Sequence, residues 1–146
     1  MPALANIVLA DAQATPVNHT FIPVGYERET GKWVFEDQSA SHPLGYWRLK
    51  IKLTKPKAPA AGTVSGDQRV QKVMLELWEP ALETVGTSDS GYTALPRVAH
   101  IPFFRGEFML SERSSLQNKK DVRKMAAGLI NDALVTSIVE LGQDLY

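Results

Sequence analysis

The clearest alternation of polar and apolar positions in this chain lies in residues 46–54. One phase holds Arg48, Lys50, Lys52 and Thr54, and the other holds Trp47, Leu49, Ile51 and Leu53. Because successive side chains of a strand point to opposite faces, this pattern predicts a strand with one cationic and one apolar face. Other apolar or alternating runs predict further strands over residues 6–10, 17–24, 32–36 and 69–79.

The periodicity changes in the last third of the chain. Residues 97–110 predict a final strand, in which Pro102 implies an unpaired edge or a bulge because proline has no N–H to donate. Ser114, followed by Gln117, matches the capping box that starts a helix. Apolar residues then recur at helical spacing and predict two helices within residues 114–146, with a break near Asn131 and Asp132. The apolar stripe comprises Leu116, Val122, Met125, Ala126, Leu129, Ile130, Ala133, Leu134, Ile138, Leu141 and Leu145.

This order of strands followed by helices predicts an α+β fold. Such an apolar stripe is typical of core packing, and the strands all precede the helices. The helices therefore have one sheet to cover, which is either the sheet of this chain or that of a partner. Two loops interrupt the strands: residues 55–67 are rich in Pro, Ala and Gly, and residues 80–96 are rich in Gly, Ser and Thr. A connection as long as the second usually has a function.

Length and composition restrict the class of protein. A chain of 146 residues predicts one domain, and 16 basic against 16 acidic residues give no net charge. Binding to nucleic acid would therefore need a local basic patch. The absence of cysteine excludes disulfides, thiolate metal sites and cysteine nucleophiles. The longest apolar stretch, 125–141, contains Asn131, Asp132 and Glu140, and residues 4–14 lack the basic start of a signal peptide. We expect a soluble, unexported protein with no membrane partner.

No sequence motif indicates catalysis. His19, His42 and His100 are scattered without a metal-binding spacing. The chain lacks a GxSxG elbow, a phosphate-binding loop of the GxxxxGK[ST] form and a GxGxxG fingerprint. The sequence therefore predicts no enzyme activity, no metal, no cofactor and no small-molecule substrate.

The cationic face of residues 46–54 is the one chemical signal. Arg48, Lys50 and Lys52 recur every second residue, at a rise of about 3.3 Å per residue. This repeat suits the phosphates of a nucleic-acid strand, and Lys72 and Arg105 would widen the surface if they share the face. The alternative is an ordinary solvated sheet face, which is also polar on one side. Composition alone favours this alternative, because the whole chain is neutral.

Several local strings, in this order, resemble the coat proteins of the single-stranded RNA bacteriophages, the levivirus group. Residues 6–9 (NIVL) and 15–21 (TPVNHTF) are similar to the N-terminal hairpin of these coats. Residues 110–117 (LSERSSLQ), the helices and the terminal Tyr146 are similar to their C-terminal region. The resemblance covers nearly the whole chain and comes from the order of the strings rather than from any one of them.

The resemblance implies an N-terminal β-hairpin in residues 1–26, a five-stranded antiparallel sheet in 31–110 and two C-terminal helices in 114–146. It also implies an interlocked homodimer with one continuous sheet, in which the helices of each subunit cover the partner. Dimers would assemble into an icosahedral shell around the genomic RNA, with loop 80–96 gathered at the symmetry axes. The protein would be made in the cytoplasm of the bacterial host and would reside in the virion.

The resemblance further implies that the inner sheet face binds RNA and represses replicase translation. Carried over by position, that face comprises Arg48, Lys50, Lys52, Thr54, Lys72, Met74, Glu76, Phe103, Arg105 and Glu107. Phe103 falls where well-studied coats have an aromatic residue that stacks on a base, although packing is its alternative role. Lys50, Lys52 and Met74 replace the small hydroxyl residues of the adenine pockets, so the sequence favours packaging by charge over recognition of the same hairpin. A free dimeric RNA-binding regulator that forms no particles is the alternative function.

Overall fold

The computed structural model describes residues 3–57, 69–84, 86 and 94–144. Residues 58–67 of the first predicted loop, residues 85 and 87–93 of the second, and the last two residues, Leu145 and Tyr146, lie outside the described residues. The chain forms two compact units. The first comprises Met1–Thr54 and Lys72–Glu107, and the second comprises Lys55–Gln71 and Phe108–Tyr146. The single-domain organisation stays a prediction.

The larger sheet has six strands in the order β1-β2-β3-β4-β5-β8. Its strands are β1 (Ile7–Ala10), β2 (Asn18–Glu27), β3 (Lys32–Asp37), β4 (Trp47–Thr54), β5 (Val70–Trp78) and β8 (Phe103–Ser111). The four successive pairs from β1 to β5 are antiparallel. The predicted α+β fold is confirmed. The predicted N-terminal hairpin, β1 and β2, is continuous with the main sheet, to which residues 31–110 contribute β3, β4, β5 and most of β8.

Local chemistry sets both turns at the start of the sheet. The Asp11 carboxylate accepts from the N–H groups of Val17, at 2.8 Å, and Gln13, at 3.3 Å, and so closes the loop between β1 and β2. Gly31 adopts a φ of 69° in the turn before β3, where its N–H donates to the Glu27 carbonyl. A register shift between Pro23 and Gly25 gives β2 a bulge and lets it continue to Glu27, three residues beyond the predicted end.

The predicted final strand 97–110 is wrong as a single element. Residues 101–102 divide it into β7 (Val98–His100) and β8, because Pro102 cannot donate to a ladder. β7 pairs instead with β6 (Ala81–Leu82), a short strand inside the predicted loop 80–96. Within the first unit, the Glu79 N–H donates to the Pro102 carbonyl at 3.0 Å, and this bond keeps the start of β8 beside the end of β5.

The buried apolar core of the described residues is small. It consists of Phe21, Phe35 and Leu49, which belong to β2, β3 and β4. Ile7, Trp47, Ile51 and Leu77 pack against these three residues and stay partly exposed. Leu49 and Ile51 belong to the apolar phase predicted for β4, so the core lies on the sheet face opposite the cations.

Two helices follow the sheet strands in the second unit. They are α1 (Leu116–Ile130) and α2 (Ala133–Leu141). The predicted cap at Ser114 is wrong by one residue, because the Ser115 hydroxyl accepts from the Asn118 N–H at 3.1 Å. The predicted break is confirmed: α1 ends before Asn131, and Asp132 caps α2 by accepting from the Leu134 N–H at 2.9 Å.

Candidate nucleic-acid interface

The cationic phase of β4 faces matching positions on its neighbouring strands. In the antiparallel register, Arg48, Lys50, Lys52 and Thr54 pair with Trp78, Glu76, Met74 and Lys72 of β5. On the other side, Arg48 pairs with Glu36 of β3, and Lys50 pairs with Val34. Directly paired residues of adjacent strands share one face. The predicted residues of β4 and β5 therefore form one surface.

Contacts from β8 extend this surface. The Arg105 guanidinium lies 3.2 Å from a carboxylate oxygen of Glu76, and it approaches the Met74 sulfur at 3.1 Å. The Phe103 ring stacks on Trp78 with centroids 5.1 Å apart. Glu107 lies two residues beyond Arg105 in the same phase of the strand. We call the surface formed by these side chains the polar sheet face; it contains Arg48, Lys50, Lys52, Thr54, Lys72, Met74, Glu76, Phe103, Arg105 and Glu107.

Ion pairs neutralise much of the polar sheet face. Arg48 pairs with Glu36 at 3.0 Å, and Lys50 pairs with Glu27 at 2.7 Å. Lys32 of β3 also joins the surface, with its amine 2.7 Å from Glu76. Alternation within β3 places Lys32 and Glu36 in one phase, so this signal could have found both residues. Glu27 could not be assigned to this surface from the sequence, because it lies in the part of β2 beyond the predicted end of that strand.

The cations of the polar sheet face differ in how available they are. Lys52 and Lys72 form no ion pair within the ranges that the structure describes. Arg105 is paired, but 58% of its side chain stays exposed. The Lys50 side chain is only 21% exposed and is held by Glu27. A polyanion would therefore meet Lys52, Lys72 and Arg105 more readily than Lys50.

Glu76 has a different position from the other predicted residues. It is only 4% exposed and lies between the Lys32 amine and the Arg105 guanidinium. A buried carboxylate needs such partners, because burial without them leaves an uncompensated charge. Glu76 can therefore orient two cations of the surface, whereas its burial keeps it from direct contact with a ligand.

A second polar cluster lies on the opposite face of the sheet, and the sequence did not indicate it. The His19 ring stacks on Trp47, with centroids 4.1 Å apart, and its Nδ1 lies 2.6 Å from Asp37. Its Nε2 lies 3.5 Å from Asp11. The hydrogen bond with Asp37, assisted by Asp11, raises the pKa of His19. Burial opposes ionisation of Asp37, but bonds from His19 and Ser39 outweigh it and lower the pKa of Asp37.

The helices present apolar side chains to solvent. Neither α1 nor α2 contains a buried residue. Nine large apolar side chains on the two helices are exposed: Leu116, Val122, Met125, Leu129, Ile130, Leu134, Ile138, Val139 and Leu141. Apolar surface of this extent is typical of an interaction site rather than of a free surface.

A metal-binding cluster and a membrane-spanning helix are both absent from the described residues. No group of three or more His, Asp or Glu side chains there is arranged to hold a metal ion. None of the helices in that part of the chain has the length and apolarity needed to cross a bilayer.

Comparison with known proteins identifies the family. The Levivirus coat protein family matches residues 2–146 of this sequence. The chain belongs to the Levivirus coat protein family. The predicted resemblance is thereby confirmed, and the role of this coat protein is structural, as a component of the phage capsid. No curated protein sequence matches the chain.

Solved structures agree with this assignment to the coat proteins. The virus-like particle of bacteriophage ESE058 is 42% identical, with a TM-score of 0.88 over 99% of this chain and 100% of that chain. The particle of bacteriophage NT-214 is 28% identical, with a TM-score of 0.80 over 99% and 100%. The bacteriophage GA capsid protein, at 17% identity and a TM-score of 0.69 over 98% of both chains, shares the fold.

Proposed function

We propose that this coat protein forms a homodimer, that dimers assemble into an icosahedral shell, and that the shell encloses single-stranded genomic RNA. The observation that supports this most directly is the exposed apolar surface of α1 and α2 in the isolated chain. The similar chains from ESE058 and NT-214 come from virus-like particles. The shell would reside in the virion, after synthesis of its subunits in the host cytoplasm.

Two features support the proposed dimer: the exposed apolar side chains of the helices and the open edge of the sheet. Covering the apolar side chains of the helices would contribute about 25 cal/mol per Å² of area removed from water. β8 is an edge strand of the six-stranded sheet, and an open edge is a template for pairing with another strand. Pairing of two β8 edges would join two sheets into one, and the helices of each subunit would then cover the partner.

The polar sheet face would hold RNA inside the shell. Together with its ion-pair partners Lys32, Glu27 and Glu36, the face has a small positive excess. The six cations are Lys32, Arg48, Lys50, Lys52, Lys72 and Arg105, and the four carboxylates are Glu27, Glu36, Glu76 and Glu107. Contacts from Lys and Arg to phosphates provide most of the sequence-independent affinity for nucleic acid. We infer that Lys52, Lys72 and Arg105 make these contacts, and that Phe103, which is 61% exposed, can stack on a base.

Repression of replicase translation is a finer proposal for the same face. It requires a specific RNA hairpin, and therefore recognition of bases. Met74 lies beneath the Arg105 guanidinium, and Lys50 is tied to Glu27. These contacts favour packaging by charge as the main role, with repression as a secondary one.

Expression in bacteria distinguishes the proposed shell-forming function from the alternative, which is a free dimeric RNA-binding regulator. Size-exclusion chromatography followed by negative-stain microscopy should show particles of uniform diameter, and extraction should recover host RNA from them. A dimer of constant size at all concentrations, with no particles, would instead support the regulator. Particles without RNA would support the shell and contradict the role of the polar sheet face.

A further inference from the structure

A cavity of about 270 Å³ lies at one end of the polar sheet face. Tyr46, Arg48 and Lys50, in one phase at the start of β4, line one side of it, and Trp78 lines another. Val98 and Ile101 complete the apolar walls. The cavity is smaller than the roughly 300–1,000 Å³ of sites for drug-sized ligands, so its size suits a single flat ring system.

Two elements that the sequence did not predict form the end of this cavity. A 3-10 turn, Pro43–Gly45, precedes β4, and its Leu44 N–H donates to His42 Nδ1 at 3.2 Å. A Cβ atom on Gly45 would lie 3.0 Å from the Leu82 side chain in β6, so a larger residue here would require that side chain to shift. The strand paired with β6 is β7, which provides Val98. The 3-10 turn and β7 therefore close one end of the cavity.

We propose that this cavity, the base pocket, binds one nucleobase of single-stranded RNA. This proposal rests on the proposed contact between RNA and the polar sheet face. Aromatic rings provide stacking surfaces that suit any base, and Tyr46 and Trp78 place two such rings in the walls. Arg48, whose side chain is 45% exposed, lines the same cavity and can hold a phosphate next to the base. The pocket lies beyond Lys52 and Met74 along the strands.

A cation beside aromatic rings favours a nucleotide over a hydrocarbon. Arg48 lines the cavity together with Tyr46 and Trp78. A nucleotide offers a phosphate to the guanidinium and a flat ring to the aromatic side chains. Phe103 stacks on Trp78 at an interplanar angle of 21°, which holds the indole ring in a fixed orientation.

The test compares two RNA-like octamers of equal charge on dimers of the full-length protein, separated from particles and from host RNA. One is an oligouridylate, and the other is a ribose-phosphate oligomer without bases. Stacking of one base predicts that the wild type binds the oligouridylate about 10-fold more tightly. Ile101→Phe fills the pocket and leaves every cation in place, so this preference should fall to about 2-fold. Leu95→Phe is the matched control, because it adds a ring to an exposed residue outside the pocket and should leave the preference unchanged.

Photocrosslinking of the wild type provides a measurement that needs no variant. An octamer of 4-thiouridine should form adducts with Tyr46 or Trp78, located by mass spectrometry of the digested protein. Adducts confined to other residues would overturn the base pocket, as would equal wild-type affinity for both octamers or an unchanged preference in Ile101→Phe. If neither octamer bound, the proposed role of the whole polar sheet face would fail, and the pocket with it.

Discussion

The polar sheet face and the two helices differ in how many of their side chains find a partner within the same chain. On the sheet face, Glu27, Glu36 and Glu76 each pair with at least one cation of the same chain. On the helices, large apolar residues such as Met125 and Val139 remain about three-quarters exposed. The contrast indicates which region of the proposed dimer would depend on a second copy. The charges of the sheet are largely balanced internally, whereas the apolar side chains of the helices are not covered by this chain.

The largest expected effect comes from removing α2. A chain truncated after Asn131 should yield no soluble dimer, because the proposed interface loses Leu134, Ile138, Val139 and Leu141. Sedimentation velocity of the soluble fraction measures this. A chain ending at Asp144 retains α2 and is the control. A folded, monodisperse monomer from the shorter chain would show that α2 is dispensable and would remove the proposed dependence on a partner.

Removing the buried carboxylate tests whether the sheet face is internally balanced. Glu76→Gln should lower the free energy of unfolding by about 2 kcal/mol, because Lys32 and Arg105 lose their shared anion. Urea titration monitored by circular dichroism measures the change. Glu107→Gln alters an exposed carboxylate of the same face and should change it by less than about 0.5 kcal/mol. Equal effects of the two substitutions would contradict a structural role of Glu76.

Lys52 and Lys72, which form no ion pair with a described residue, should contribute more to RNA affinity than Lys50, which is paired with Glu27. Replacing Lys52 and Lys72 by Ala should reduce the slope of log affinity against log salt by about 1.4, the value expected for two phosphate contacts to a single strand. Lys50→Ala should have a smaller effect, because Glu27 already neutralises that amine. Fluorescence anisotropy with a single-stranded octamer and particle-free dimers, at several salt concentrations, measures these slopes. A larger effect from Lys50 would reverse the proposed order of the cations.

The smallest predicted effect concerns pH and the opposite sheet face. The pKa of His19 is raised in the folded chain, so the stability from its charged form is full below the ordinary histidine pKa. It is lost as the pH rises through the raised value. Wild type should therefore lose more stability than His19→Gln from slightly acidic to alkaline pH. Thermal unfolding across that range measures the difference, and parallel curves would exclude His19 as the group responsible.

The sequence predicted features that depend on near neighbours. The alternation of Lys50 and Lys52 with Leu49 and Ile51 is local, and it predicted both the strand and the face of each side chain. The strings at the two ends of the chain predicted the family and hence the order of the elements. The break between α1 and α2 was also found from local signals, because Asn131 and Asp132 interrupt the apolar stripe.

Features that depend on register and distant pairing were missed. The Lys50–Glu27 and Lys32–Glu76 ion pairs join residues 23 and 44 positions apart, and they require the observed bulge and strand alignment. The cluster around His19 depends on the same alignment. The division of the last predicted strand at Pro102 could not be predicted without knowing that β6 is present and pairs with β7. The polar sheet face was therefore predicted as cationic, whereas its carboxylates make it nearly balanced.

Sedimentation velocity of the untagged full-length protein, measured at several concentrations, tests most directly whether the folded chain depends on a second copy. We expect dimers and closed particles, with no folded monomer at any concentration, because the exposed side chains of α1 and α2 need a partner to cover them. A stable, folded monomer that persists at high concentration and never forms particles would contradict the account.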